Sequence, residues 1–251
     1  MARWLADQGF TGLWILEGGL KGWREAGFPV ETLESVPALA GGGQGEPTVV
    51  SSGLLSFVPS LTDRYLLDGG LPARRRLATL FVDIAGSTLL LSHHSPETVL
   101  AVVQRFMRLV TEVALAYCGD VKDFEGDGAL LYFESTLEAT QAALAIRDAL
   151  ARGSCSSEIQ ISARMSLTVG DVVLGVVGST MRQAVSLIGP SVSVGARLLK
   201  QIEPGGIIAI AEVVEGLRAE APELAAQFRL RDAAFEVPGA DGIVVATYVI
   251  S

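Results

Sequence analysis

Two aspartates in this chain stand where a carboxylate can meet a phosphate group. Asp83 ends the apolar run ATLFVDI, and Asp127 lies in the segment EGDG between two further apolar runs. If the first run pairs with a hairpin built around EGDG, both carboxylates converge on one sheet edge. Two hard oxygen ligands without His or Cys favour Mg²⁺ or Mn²⁺ over zinc. Small residues whose backbone N–H groups can approach a phosphate follow the first aspartate: Ala85, Gly86, Ser87 and Thr88.

The pattern of apolar residues predicts the elements that hold these aspartates. Residues 78–84 alternate as a strand does, which puts Asp83 on the face opposite the core. A helix is predicted from the capping signal at 95–97 to Gly119. The predicted hairpin strands, 121–124 and 129–133, flank Asp127-Gly128, a strong two-residue turn signal.

The rest of the chain continues this alternation. Ser135 followed by Glu138 is a capping box and starts a helix that runs to about Ala151. The remaining predicted elements are strands at 159–170, 172–178, 183–188, 207–210 and 243–250 and a helix at 191–202. The order βαββαβ with extra strands predicts a ferredoxin-like α+β fold.

Taken singly, each aspartate has a simpler explanation, because strand-end Asp residues often cap turns and Asp-Gly turns need no function. Together, FVDIAGST and EGDGALLYF resemble the class III nucleotidyl cyclases, the adenylyl and guanylyl cyclase catalytic domains, over residues 76–251. The resemblance implies that Asp83, Asp127 and the backbone carbonyl of Ile84 hold two Mg²⁺ or Mn²⁺ ions. It also implies a two-metal reaction, in which the ribose 3′-OH attacks the α-phosphate and pyrophosphate leaves.

The same resemblance gives a role to SLIGPSVSVGARL, residues 186–198. It implies that Arg197 stabilises charge in the transition state and that Ser193 orients the ribose. The two residues stand four apart, so their side chains share one helix face. Most family members have Asn at the position of Ser193, and a Ser donates a hydrogen bond with a shorter reach.

Base recognition is where this chain departs further from the family. The resemblance assigns it to Asp123, where adenylyl cyclases have Lys and guanylyl cyclases have Glu, and to Ser186. Strand alternation predicts that Lys122 faces away from Asp123. A carboxylate accepts protons from guanine N1 and N2, which favours GTP, but ATP and a pyrimidine nucleotide stay open.

The resemblance also implies that the metal-binding aspartates and the arginine of one site come from different chains, so a homodimer carries two composite sites. The first hypothesis is therefore a signalling enzyme that makes a 3′,5′-cyclic nucleotide from a nucleoside triphosphate. The alternative is a nucleotide-binding dimerisation module without turnover. It is motivated by Ser193, by Asp123 and by FEVPGADG at 235–242, which lacks a lysine that many members place there.

The amino-acid composition limits the classes of function that are compatible with the sequence. The chain has 251 residues, a net charge of −9 and 49% hydrophobic residues, without an apolar stretch long enough for a membrane span. The acidic balance argues against a nucleic-acid partner. The two cysteines, Cys118 and Cys155, form no CxxC motif, which fits a cytoplasmic protein.

The N-terminal residues 1–33 resemble the last portion of a rhodanese domain, through the run WLADQGFTGLWILEGGLKGWREAGFPVE. In that family the nucleophilic Cys lies upstream of this portion, and the first cysteine here is Cys118, so sulfur transfer is not implied. A truncated start of a longer fusion protein is the simplest interpretation, and a small docked adaptor is the alternative. Glycine-rich residues 34–75 are predicted to be a linker.

Overall fold

The computed structural model describes residues 71–153, 159–179, 182–240 and 242–250. The rhodanese-like segment at 1–33 and the predicted linker up to residue 70 lie outside the described residues. The strands are β1 (Ala73–Ile84), β2 (Asp120–Glu125), β3 (Gly128–Phe133), β4 (Ala163–Ser179), β5 (Arg182–Ile188), β6 (Ile207–Ile210), β7 (Arg229–Glu236) and β8 (Val244–Ile250). The helices are α1 (Ser87–His93), α2 (Pro96–Ala116), α3 (Thr136–Ala151), α4 (Pro190–Leu198), α5 (Ala211–Glu220) and α6 (Pro222–Ala225).

The strands of the described residues form one sheet in the order β2-β3-β1-β4-β6-β8-β7, and β5 pairs with the outer half of β4. Only β4 and β6 run parallel among these pairs. The central strand order β2-β3-β1-β4 is that of the ferredoxin-like fold that the sequence predicted. Helix α2 precedes β2, and helix α3 connects β3 to β4. The α+β fold class is therefore confirmed.

One face of β1 lies in the hydrophobic core, and the other carries Asp83 near its end. Leu80, Val82 and Ile84 are buried in the core, on the side that packs against α3. Asp83, between two of them, points to the opposite face, as alternation requires.

The predicted helix starts are also found, because the Ser95 and Ser135 side chains accept hydrogen bonds from the first turns of α2 and α3.

Strand β4 is longer than the sequence predicted. Two strands were expected, with a break at Gly170-Asp171, but β1 pairs residue by residue across that point, Leu77 with Gly170 and Arg76 with Asp171. The glycine is explained by packing, since a Cβ there would lie 2.9 Å from the side chain of Ser191. It therefore makes room for α4 and does not interrupt the strand.

Other differences arise where the apolar pattern is weak. The elements α1, α5, α6 and β7 were not predicted. Helix α1 has no buried residue, and every residue of β7 is at least partly exposed, so neither shows the periodicity that marks a packed face. Strand β1 begins at Ala73, three residues inside the segment predicted as linker. Among the described residues, no helix has the length and apolarity that crossing a membrane requires.

Helix α4 rests on a row of buried hydroxyl groups. Thr168 Oγ1 donates to the carbonyl of Ser191 at 2.9 Å, and Ser166 Oγ donates to that of Gly195 at 2.7 Å. Thr168 Oγ1 is also 2.6 Å from Thr79 Oγ1 on β1. A Cβ at Gly195 would lie 2.9 Å from the ring of Phe81. These contacts fix the position of α4 along the strands β1 and β4.

We expect Thr168→Val to destabilise the protein by about 1–3 kcal/mol, because the Thr79 hydroxyl then loses its buried partner. Thr79→Val added to it should cost little more, since no orphaned hydroxyl is left. Thr140→Val is the matched control. Its hydroxyl is equally buried, but it bonds only the carbonyl of Thr136 in its own helix. Urea unfolding measures all three, and an additive loss in the double variant would contradict the hydroxyl row.

Candidate active site

The two predicted aspartates meet at one edge of the sheet. Strand β1 pairs with β3 so that Asp83 lies opposite Gly128, and the Ile84 N–H donates to the Asp127 carbonyl at 3.3 Å. The pKa of Asp83 is raised to about 6, first by burial, then by the charge of Asp127 and a side-chain hydrogen bond with it. Two carboxyl groups held this close repel each other when both are ionised.

The pair fits a divalent cation. Asp127 Oδ2 is buried and has no hydrogen-bond partner in the described part of the chain, although a buried carboxylate oxygen normally has one. Ile84 has its side chain in the core, so only its backbone is available to the site. No cluster of three or more His, Cys, Asp or Glu occurs within the described ranges. One or two carboxylates completed by substrate phosphates are the usual arrangement for Mg²⁺.

The turn that carries Asp127 differs by one residue from the prediction. The two-residue connection is Gly126-Asp127, with φ +65° at Gly126, and Gly128 is already the first residue of β3. A Cβ at Gly128 would lie 3.0 Å from Asp83 Oδ1. The first glycine therefore makes the turn, and the second allows the Asp83 carboxylate to approach the hairpin.

A cation that the sequence did not single out lies beside this pair. Arg164 is paired directly with Asp83 across β1 and β4, and it lowers the Asp83 pKa against the larger effects of burial and Asp127. Its Nε is buried and lacks a hydrogen-bond partner among the described residues. The signal was present in the sequence, because Arg164 is a charged residue in a run that otherwise reads as a buried strand.

The predicted phosphate-contact residues follow β1 directly. Gly86 adopts φ +76°, and its carbonyl accepts from the N–H groups of Leu89 and Leu90, which starts α1. Ser87 and Thr88 form the first turn of α1, where backbone N–H groups have no partner inside a helix. Their contact with a phosphate stays a prediction.

Helix α4 carries the predicted transition-state residues Ser193 and Arg197. Arg197 Nη1 donates to the Ser193 carbonyl and Nη2 to the Gly239 carbonyl, both at 2.9 Å. Within the described residues, no hydrogen bond or ion pair joins Arg197 to Asp83 or Asp127. Ser193 is exposed. The contacts of the described residues therefore join the two aspartates to each other and hold Arg197 on α4 and the β7–β8 turn.

The prediction for Lys122 was wrong. The register between β2 and β3 shifts between Val121 and Asp123, which is a β-bulge, and a bulge breaks strict alternation. Lys122 Nζ consequently lies 3.2 Å from Asp123 Oδ2, with the lysine side chain 14% exposed and the aspartate 55%. A donor and an acceptor thus stand side by side at this position.

Ser186 lies on β5, paired with Gly175 of β4. Strands β2 and β5 contact each other although they lie far apart in the strand order. No hydrogen bond between Asp123 and Ser186 occurs in the described part of the chain. Their joint role in base recognition therefore stays a prediction.

Asp83 and Asp127 thus form a carboxylate pair on a ferredoxin-like sheet, and its oxygen ligands suit a divalent cation. The family model described as the adenylate and guanylate cyclase catalytic domain matches residues 72–251. Since this is more than half of the chain, the chain belongs to the adenylate and guanylate cyclase catalytic domain family. The resemblance found in the sequence is thereby confirmed.

Two uncharacterised proteins of Mycobacterium tuberculosis are 30% identical over 151 residues and 31% identical over 147 residues, covering 58% and 57% of this chain. The matches cover 28% and 26% of those proteins, so this chain spans only about a quarter of their length.

The fold is shared with two cyclases of known structure. The adenylyl cyclase CyaB from P. aeruginosa has a TM-score of 0.62 and 21% identity, covering 72% of this chain and 96% of that one. The guanylate cyclase domain of RhGC from Catenaria anguillulae, in complex with GTP, has a TM-score of 0.62 and 19% identity, covering 71% and 98%. At these identities the likeness establishes the fold.

The raised pKa of Asp83 predicts a dependence of stability on pH. Between its ordinary value of 3.8 and about 6, the folded protein binds a proton that the unfolded chain releases. This group therefore contributes less stability to the metal-free protein as pH rises through that window. We expect Asp83→Asn to be more stable than wild type near pH 7 and to lose this advantage near pH 4.

Urea midpoints of metal-free protein across this pH range measure the effect. Asp148→Asn is the control, because Asp148 is an exposed residue of α3. Mn²⁺ should raise the midpoint of wild type but not of Asp83→Asn. A stability advantage of Asp83→Asn that is the same at both ends of the range would contradict the assignment.

Proposed function

We propose that this chain contains the catalytic domain of a nucleotidyl cyclase that converts a nucleoside triphosphate to a 3′,5′-cyclic nucleotide and pyrophosphate in a signalling role. The observation that carries the proposal is the Asp83–Asp127 pair, with its unpartnered buried oxygen and with Arg164 beside it. Such a pair raises the energy of the metal-free protein and is relieved by positive charge, which is the expected signature of a functional site.

Asp83, Asp127 and the Ile84 carbonyl are the proposed ligands of two Mg²⁺ or Mn²⁺ ions. Bound there, these ions supply Lewis acidity that favours ionisation of the ribose 3′-OH and offsets charge on the triphosphate. Arg164 stands opposite Asp83 on the same sheet edge, where its guanidinium can donate to phosphate oxygens. The backbone of 86–88 is proposed to contact the same phosphates.

Arg197 is proposed to act on the site of a second copy, so that the protein is a homodimer with two composite sites. Support comes from its hydrogen bonds, which go to the Ser193 and Gly239 carbonyls, while none in the described part of the chain joins it to Asp83 or Asp127. Further support comes from exposed apolar side chains near the site and on the β4–β5 hairpin, where Val173 pairs with Ile188. Large apolar side chains exposed by about half or more flank the site on α1, α2 and β2: Leu89, Leu91, Leu100 and Phe124. Exposed apolar patches of this kind mark association surfaces.

The base of the substrate is left open between ATP, GTP and a pyrimidine nucleotide. Asp123 offers an acceptor and Lys122 a donor, while the Ser186 hydroxyl can do either. We also propose a cytoplasmic domain at 76–251, joined through a linker at 34–75 to the rhodanese-like segment 1–33.

The direct test is to incubate the whole chain with each of the four nucleoside triphosphates and Mn²⁺ and to identify products by mass. A cyclic nucleotide from at least one of them is expected. Nucleotide binding without any cyclic product would contradict the proposed enzyme activity. It would favour the alternative, a nucleotide-binding dimerisation module that has lost turnover.

Composite sites predict complementation. Asp83→Ala and Arg197→Ala should each be nearly inactive alone, with losses of at least about 10²-fold for a missing charge-stabilising group. Mixed in equal amounts after reversible dissociation, they should regain about a quarter of wild-type activity, because half of the dimers are mixed and each has one intact site. Activity that stays at the level of the single variants would contradict the shared site.

The proposed role of Arg164 predicts a separate loss of catalytic efficiency. Arg164→Met keeps the bulk of the side chain and removes its charge, so kcat/KM should fall about 10- to 100-fold, as for a lost hydrogen bond to a charged group. Arg147→Met is the control, because among the ion pairs of the described residues Arg147 pairs only with its neighbour Asp148 on α3. Equal kcat/KM in the two variants would remove Arg164 from the site.

A further inference from the structure

The turn between β7 and β8 reaches the functional arginine of α4. Its ends are held by hydrogen bonds, from Val237 N–H to the Ile243 carbonyl at 2.9 Å and from Ala240 N–H to the Val237 carbonyl at 3.1 Å. Val237 is 2% exposed and belongs to the core. The turn is therefore anchored on both sides of Gly239.

Gly239 points its carbonyl at Arg197. The Nη2 group of Arg197 donates to this oxygen at 2.9 Å, and Nη1 donates to the Ser193 carbonyl one helical turn back. The residues are 42 positions apart in sequence, so the contact depends on the fold and not on local geometry. Two separate anchors thus define where the guanidinium lies.

The chemistry of these partners suits a catalytic cation. Both acceptors are neutral carbonyls, so they orient the guanidinium without cancelling its charge, as a carboxylate would. A guanidinium has five N–H donors in a rigid plane, and the two contacts leave three for phosphate oxygens. The arginine is therefore held in place while its charge stays available.

Gly239 is needed for its backbone conformation. Its φ of +67° is one that residues with a Cβ rarely adopt. Space is not the limit, since an added Cβ would lie 3.7 Å from Arg197 Nε, an ordinary contact distance. Asn tolerates this conformation and a β-branched residue does not.

We infer that Gly239 is a positioning residue for Arg197, and that it serves the reaction through its backbone carbonyl. The inference rests on the proposed function, because it assigns Arg197 the transition-state role. It gives the segment FEVPGADG, which lacks the lysine expected from the family, a different task at the same site.

The test compares three variants of the whole chain. Gly239→Val should rotate the peptide away from Arg197, and we expect kcat to fall about 10- to 100-fold, as for a misplaced catalytic group, with KM for the triphosphate nearly unchanged. Gly239→Asn should keep the conformation and most of kcat. Gly153→Val is the matched control, because Gly153 also has positive φ, +76°, but lies at the end of α3.

A second readout does not need turnover. In ¹⁵N NMR spectra, the Arg197 guanidinium, assigned by its loss in Arg197→Lys, should show hindered rotation in wild type and in Gly153→Val and free rotation in Gly239→Val. Free rotation in wild type would overturn the inference even if no variant folds. Unchanged kcat in Gly239→Val would overturn it while leaving the proposed function standing.

The two failures are distinguishable. If wild type yields no cyclic product from any triphosphate, the proposed function fails, and with it the transition-state role that the inference assigns to Arg197. If wild type forms product, and Gly239→Val and Gly239→Asn have equal kcat, the proposed function stands and only the positioning role of Gly239 is rejected.

Discussion

The candidate site depends on the repulsion between two carboxylates, one at the end of β1 and the other in the turn between β2 and β3. Asp83 and Asp127 are brought together by the pairing of β1 with β3, and Gly128 removes the side chain that would keep them apart. Burial makes the repulsion stronger. A fold that holds such a pair must be stabilised elsewhere, and the buried faces of β1 and β3 under α2 and α3 provide that stability. Arg164 offsets only part of the cost.

The net charge of −9 has to be considered together with where the charged side chains lie. A triphosphate is itself anionic, so an acidic protein must present positive charge only where the substrate sits. Arg164 lies beside the carboxylate pair, whereas Arg197 on α4 is held by neutral carbonyls. The two arginines proposed to contact the substrate are thus anchored on different elements of the chain.

The sequence was informative where periodicity and turn chemistry decide structure. It predicted the strand and the hairpin around the aspartates, because alternation and Asp-Gly are local signals. It did not predict α1 or β7, which bury little, nor the continuity of β4 through Gly170, where pairing with β1 outweighs the local propensity of glycine. The prediction that Lys122 faces away from Asp123 failed for the same reason, since a β-bulge depends on pairing with the partner strand. Arg164 stood out in the sequence only as a charged residue within an apolar strand, and its place beside Asp83 follows from the strand pairing.

Strand β4 links the parts of this molecule mechanically. It begins beside the carboxylate pair with Arg164, supports α4 through Ser166 and Thr168, and ends in the exposed hairpin with β5. Its 17 residues span roughly 55 Å at about 3.3 Å per residue. Bonded to β1 along most of that length, the strand cannot bend in one place without breaking its ladder. Because this strand carries Arg164, supports α4 and pairs with β5, we expect a displacement of the β4–β5 pairing to shift both Arg164 and the helix of Arg197.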